Sequence, residues 1–348
     1  MDSLLSVKDL EKLILRGSVS SETSSNISLA VAVISEKRFA VDLKNKTGQT
    51  LKGYRVSIDT PGIIDGKSEK DVAPIAPESS VRVEFKLKEK VSHNNRSIKI
   101  SASFPGKDKK EVLNTNLRAV LVTRVAKPLV IDGDLSDWAS SIPVLTLDRR
   151  NVDPKSRSPR WSKKEDQIKA ELRYAWNDNY LYTAVTVYKQ DFYPLKDKSN
   201  YINAWKQDCI QICYDTLRNA KAGATELGDD DFEYCLVMCD GTPLVTRRWA
   251  SSAIHDSLPK NSGIVDSQEV MFAVQTHADR VVYEMAFPKR SVSPFKLYPY
   301  SVMRTGLIVN INNGKERMGW LELTPGVGQY PKRPDQWIDL VLLPSAGK

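Results

Sequence analysis

The chain has 348 residues and a formal charge of +8, with no apolar run long enough to span a membrane and no charged-then-apolar leader after Met1. Up to Val125 it carries 22 Lys+Arg against 15 Asp+Glu and only four aromatics, Phe39, Tyr54, Phe85 and Phe104, whereas all seven Trp and all four Cys follow, so two domains are expected. The basic excess is interleaved with acids, as in Glu84-Phe-Lys-Leu-Lys-Glu-Lys90, and lacks aromatic partners, which reads as a solvated strand face and not as a nucleic-acid surface.

Leu4, Leu5, Leu10, Leu13 and Ile14 fall at helical spacing and predict a short amphipathic helix over Asp9–Arg16; the Ser-rich stretch Gly17–Asn26 reads as a linker. Residues 1–25 are therefore expected to be helix and linker, a beginning that fits a piece of a longer secreted protein as well as a complete one. Residues 26–125 show short alternating strands: Ala40–Asn45, Tyr54–Ile58 and Val81–Leu87, the last with Val81, Val83, Phe85 and Leu87 on one face. Turn residues at Lys46-Thr-Gly48 and Thr60-Pro-Gly62 separate them, which predicts an immunoglobulin-like β-sandwich. The Asn45-Lys-Thr-Gly48 turn and the Pro61-Gly62 step between strands resemble accessory sandwich domains found beside glycosidase modules. Nothing in this part concentrates chemistry, so it reads as a spacer.

Residues 126–348 hold the informative motifs. In Val130-Ile-Asp-Gly-Asp-Leu-Ser-Asp-Trp138, Asp132, Asp134 and Asp137 have two readings: oxygen ligands for Ca2+, or caps on the backbone N–H groups of a tight turn. Tyr174-Ala-Trp-Asn-Asp-Asn-Tyr-Leu-Tyr182 predicts a hairpin, because Asn and Asp tolerate positive φ, with Trp176 and Leu181 as core. Cys209 to Tyr214 alternates Cys209, Gln211 and Cys213 with Ile210, Ile212 and Tyr214. If that strand pairs antiparallel with Phe232–Cys239, Cys209 can face Cys239 while Cys213 faces Cys235; buried thiols, disulfides and a metal all stay open. Asp229-Asp-Asp231 beside Gly228 reads as a solvated turn or a calcium-facing loop.

The ordered series PLVIDGDLSDW (Pro128–Trp138), YAWNDNYLYTAVTV (Tyr174–Val187), Trp205 with Asp208, and Tyr283-Glu284 with Pro288 resembles the family 9 carbohydrate-binding modules, a sugar-binding β-sandwich group related to DOMON domains. The resemblance covers Pro128 to Leu343. It implies a sugar stacked between two indoles, for which Trp205 and Trp320 are the matches, with Asn310, Asn312 and Asn313 available to bond hydroxyls. It also implies an Arg at Arg247 or Arg248, a framework acceptor at Glu284, and structural calcium in some members. The run Lys315-Glu-Arg-Met-Gly-Trp320 resembles the family's turn, Arg and Trp. Gln211 stands where the family has a Glu, and a neutral amide loses the charge-assisted bonds a carboxylate makes to hydroxyls.

The expected protein is all-β: an immunoglobulin-like sandwich over 26–125 and a family 9-like carbohydrate-binding sandwich over 126–348. Its expected partners are a polysaccharide or oligosaccharide and an attached catalytic domain, outside the cell or at its surface, with no catalysis of its own. The alternatives are a structural module whose sugar site has decayed and a haem-binding DOMON-type redox domain. Haem would need axial ligands from Met238, Met318, His255 or His277. Paired-carboxylate hydrolysis is the third rival, but no G-x-S-x-G, H-E-x-x-H, P-loop or dinucleotide fingerprint is present.

Overall fold

The computed structural model describes residues 26–60, 62–92, 97–104, 110–152, 161, 165–221, 223–250 and 263–345. The predicted helix over Asp9–Arg16 and the linker over Gly17–Asn26 lie outside the described residues, apart from Asn26. The all-β class is what the chain adopts: among the described residues, helix occurs only as short 3-10 turns. No described helix is long and apolar enough to cross a membrane. The chain divides into two compact units, Met1–Val120 and Leu121–Lys348.

The first unit contains β1 (Ile27–Ser35), β2 (Arg38–Asn45), β3 (Arg55–Ile58), β4 (Glu69–Asp71), β5 (Ser80–Lys86), β6 (Ser97–Ser103) and β7 (Lys110–Asn116). They form a three-stranded sheet, β1-β2-β5, and a four-stranded sheet, β4-β3-β6-β7. Period-two alternation drives the burial: Val83, Phe85 and Leu87 point inward while Arg82, Glu84 and Lys86 face water. Phe39 and Phe85 pair across β2 and β5, their rings stacked at 5.5 Å between centroids.

The second unit is built from β8 (Ala119–Arg124), β9 (Leu145–Leu147), β10 (Lys169–Trp176), β11 (Tyr180–Tyr188), β12 (Cys209–Asp215), β13 (Asp231–Cys239) and β14 (Thr242–Ala250). It continues with β15 (Gly263–Val265), β16 (Met271–Thr276), β17 (Arg280–Pro288), β18 (Val302–Asn312), β19 (Arg317–Glu322) and β20 (Ile338–Leu342). Hydrogen bonding runs in one path, β15-β14-β13-β12-β18-β20-β8-β10-β11-β17-β16, with β19 on β18 and β9 on β10. The path folds on itself. Tyr214 of β12 and Tyr234 of β13 both meet Phe287 of β17, at 5.3 and 5.5 Å between ring centroids, so the two ends of the path face each other across a common core.

The 174–182 hairpin forms as predicted, with Trp176 opposite Leu181 and both fully buried. Its turn does not use positive φ. Instead, Asn177 Oδ1 accepts from the N–H groups of Asn179 and Tyr180, at 2.9 Å each, and its amide donates to the Tyr182 hydroxyl. The β13–β14 hairpin does turn through the left-handed region, at Asp240 (φ 46°) and Gly241 (φ 74°).

Candidate functional site

The alternation in β12 sends Ile210, Ile212 and Tyr214 into the core between the two halves of the path and sets Cys209, Gln211 and Cys213 on the outer face. That outer face is also buried, since every residue of β12 is. Leu195, Ala204, Tyr201 and Trp205, in and before the 3-10 segment Lys198–Lys206, cover it near Cys209 and Cys235. Val327 and Trp337 cover it near Cys213 and Ile308.

The β12–β13 register corrects the expected cysteine pairing. Cys209 lies opposite Val237 and Gln211 opposite Cys235, two residues away from a Cys209–Cys239 alignment. A two-residue slip leaves every side chain on its own face, so alternation alone does not select between the two registers. All four thiols are free and buried. Cys209 and Cys235 meet diagonally at 3.6 Å between sulfurs, and burial pushes the Cys209 thiol well up from its ordinary range.

Between the covering layers a cavity of about 400 Å³ opens, lined by Trp205, Asn312, Lys315, Arg317, Met318 and Trp320. The structure thus brings Trp205 and Trp320, 115 positions apart along the chain, to one cleft. The slot between them is not empty. The Arg317 guanidinium lies over both rings, 5.2 Å from the Trp205 centroid and 4.1 Å from that of Trp320. Trp320 is only 6% exposed. Gly328 packs against it so closely that a Cβ there would come within 2.3 Å of the indole, so only glycine fits that approach. Trp205 keeps the more open ring, with Lys206 Nζ 5.4 Å from its centroid.

From Arg317 a polar chain runs along the outer face. Arg317 Nε donates to Asn310 Oδ1 at 2.6 Å, Asn310 Nδ2 to Gln211 Oε1 at 3.0 Å, and Gln211 Nε2 to Glu233 Oε1 at 2.8 Å. Lys332 Nζ donates to the same Glu233 oxygen at 2.9 Å. Gln211 therefore lies beneath the cleft with both ends of its amide taken. Burial pulls the Arg317 guanidinium down to about 10, the nearby Cys209 and Cys235 thiols opposing the shift.

Asn312 lines the cleft but fastens its rim. Its amide donates to the Lys206 carbonyl at 2.7 Å and its Oδ1 accepts from Gly314 N–H at 2.6 Å. Asp208 anchors the same corner, accepting from Asn312 N–H at 2.8 Å, Tyr193 N–H at 2.7 Å and Lys189 Nζ at 2.5 Å. Asn313 spends its Oδ1 on Lys315 and Glu316 N–H.

Arg247 and Arg248 part company at a bulge: Glu233 opposes Trp249 and Tyr234 opposes Arg247, leaving Arg248 as the extra residue. Arg248 sits on the cleft side of the sheet, 3.6 Å from Glu233 and donating to the Ile202 carbonyl. Arg247 is turned away from the cleft and buried, paired with Glu269 at 2.5 Å, and the same carboxylate oxygen accepts from the Tyr234 hydroxyl.

The acids of the first loop are spent on backbone. Asp132 accepts from Asp134 N–H, Asp134 from Ser136 N–H and Asp137 from Val130 N–H, at 2.8 to 3.0 Å. The loop is held from beneath by fully buried Glu284, which accepts from Trp138 Nε1 at 2.7 Å, Gly133 N–H at 2.9 Å and Asp132 N–H at 3.1 Å. This is the framework role expected of Glu284. Of the two readings of Asp132, Asp134 and Asp137, their hydrogen bonds are those of turn caps, and they are not among the described acids whose oxygens converge. Among the described residues, the acids that do converge are Asp215, Asp230 and Asp231, with oxygens within 4.8 Å of one another. Asp230 and Asp231 are buried, not solvated, and Asp231 Oδ1 has no hydrogen-bond partner. An all-oxygen set with a free ligand atom fits calcium in donor type. Asp215, however, also has Arg304 3.5 Å away.

Sequence reasoning quoted Arg317 only as part of a run and missed Glu233 and Lys332. The one available signal was an Arg three residues before a Trp on a short strand.

No curated protein matches the chain. The family described as "Carbohydrate family 9 binding domain-like" matches residues 146–342. The chain belongs to that family. It is a family of non-catalytic modules, so the matched region is a binding module and not an enzyme. Similar solved structures include a family 9 carbohydrate-binding module from Caldicellulosiruptor kristjanssonii in complex with glucose. It is 17% identical with a TM-score of 0.43, over 66% of this chain and 97% of that one. A complex of a module from the same organism with cellotriose is 18% identical at TM-score 0.43, over 65% and 94%.

Proposed function

We propose that the second unit binds a saccharide in the cleft between Trp205 and Trp320, holding a glycan without altering it. The observation that carries this reading is the convergence, in a member of this family, of two distant tryptophans and an arginine on one cavity. Pyranose rings present C–H faces that lie flat on indoles, while their hydroxyls need nearby donors and acceptors. Trp205 offers the open ring, and Arg317, Lys206 and Lys315 are the donors within reach. In this reading the chain serves as the accessory part of a longer secreted or cell-surface carbohydrate-active protein.

Calorimetry against mono-, oligo- and polysaccharides tests it. Saturable binding should weaken by about 1–3 kcal/mol in Trp205→Ala, the size of single aromatic stacking losses at nucleobases, with the fold unchanged. Binding of the variant equal to the parent would remove the site assignment.

A second reading has its own support. Gln211 is spent inside the protein, Trp320 is covered by Gly328, and Arg317 fills the slot, which together fit a module that has lost its sugar. A broad panel with no binder would favour it.

A further inference from the structure

The charge of the cleft names a ligand class, provided that the cleft binds saccharide as proposed above. The buried arginines Arg247 and Arg304 and the half-buried Arg218 each meet a carboxylate: Arg247 meets Glu269, Arg304 lies 3.5 Å from Asp215, and Arg218 meets Asp339 at 2.7 Å. Arg317 is different. Its Nε bonds the neutral amide of Asn310, its guanidinium lies over two indoles, and its Nη2 is buried with no hydrogen-bond partner. Among the described residues no carboxylate pairs with it.

The surroundings add charge of the same sign. Exposed Lys206 and Lys315 stand on the rim, against one acid lining the cavity, Glu316. Gln211 behind Asn310 is uncharged, and Glu233 beyond it is already taken by Lys332 at 2.9 Å and flanked by Arg248 at 3.6 Å. A largely buried cation without a paired carboxylate is costly, and no described carboxylate pairs with Arg317 here.

We propose that the cleft takes an acidic saccharide, a hexuronate whose ring lies against Trp205 and whose carboxylate pairs with Arg317. A carboxylate answers a guanidinium with a charge-assisted bond, whereas a neutral hydroxyl leaves the charge uncompensated. The cation that fills the slot against a neutral pyranose is then the group that recognises an acidic one.

The test is calorimetry on the full chain with oligomers of glucuronic and galacturonic acid, beside the same oligomers after reduction of each carboxyl to an alcohol. The acidic oligomers should bind at least about tenfold tighter, and the preference should shrink as salt rises. Trp205→Ala should weaken binding of both forms by about 5- to 150-fold. Arg317→Gln should bring the two to equal affinity, while Arg317→Lys keeps part of the preference. The comparison on the parent chain decides the matter even if a variant fails to fold. Reduced oligomers that bind as tightly as acidic ones overturn the acidic preference and leave the saccharide reading standing. No binding of any saccharide overturns both. Preference that survives Arg317→Gln overturns the assignment to this residue. Acidic binding untouched by Trp205→Ala does the same for the cleft, since it would reflect general attraction to a chain of charge +8.

Discussion

The two faces of the sheet around β12 and β13 each bury an arginine, and they differ in what answers its charge. On the core side, Arg247 meets Glu269, whose carboxylate also holds the Tyr234 hydroxyl. On the cleft side, Arg317 meets an amide oxygen and two rings. The first arrangement has its counter-charge within the protein and reads as framework. The second lacks a counter-charge, and what it lacks is what a ligand can bring. Removing Arg247 should accordingly produce the largest effect. Arg247→Met leaves Glu269 buried without its cation and should cost about 3–5 kcal/mol of folding stability, measured by urea denaturation. A loss below about 1 kcal/mol, the level of an exposed pair, would erase the distinction between the faces.

Much of the framework side was legible in the sequence. Period-two alternation marked the inner faces of β5 and β12, the Asn-Asp-Asn stretch marked the hairpin at Trp176, and Glu284 was expected as an acceptor. The cleft side was harder for a physical reason. Alternation fixes which face a residue takes but not its partner, so a two-residue shift in register went unseen and the Cys209–Cys235 contact with it. Trp205 and Trp320 were named, yet nothing in the spacing of Arg317 and Trp320 says that the guanidinium enters the slot between the rings. Asp230 and Asp231 looked like a solvated turn because consecutive acids usually are one. Asp231 is drawn inside by its pairing with Asp215 at the ends of β12 and β13.

That acidic corner gives the second prediction, a contrast in sign with the cleft. Burial, reinforced by Asp215 and Asp230, holds the Asp231 carboxyl up to about 8, from a usual 3.8. The folded chain thus keeps a proton that the unfolded chain releases near pH 4. The stability this proton contributes is complete below about pH 4, falls as pH rises, and is gone above about pH 8. The slope from this group is about 1.4 kcal/mol per pH unit within that window. Denaturation midpoints followed from about pH 5 to about pH 9 should show this decline, and Asp231→Asn should flatten it. If Asp215, Asp230 and Asp231 hold calcium, added Ca2+ should raise Tm most at the alkaline end, and Asp231→Asn should remove that gain. A profile identical in parent and variant would show that Asp231 is not the group responsible.

The smallest expected effect is the sharpest test of the comparison. Arg317→Met removes a buried cation that has no carboxylate to strand, and a thioether can still pack between the two indoles. One neutral bond to Asn310 is lost, about 1 kcal/mol, while the cost of burying the charge is also relieved. Stability should therefore change by no more than about 1 kcal/mol in either direction, even though Arg317 is largely buried and touches two tryptophans. A loss comparable with that of Arg247→Met would mean that Arg317 is framework after all, holding Trp205 and Trp320 apart for the sake of the fold. Stability near the parent value would mean that the arginine is kept in the slot for something other than folding, which is the condition a ligand-recognising group has to meet.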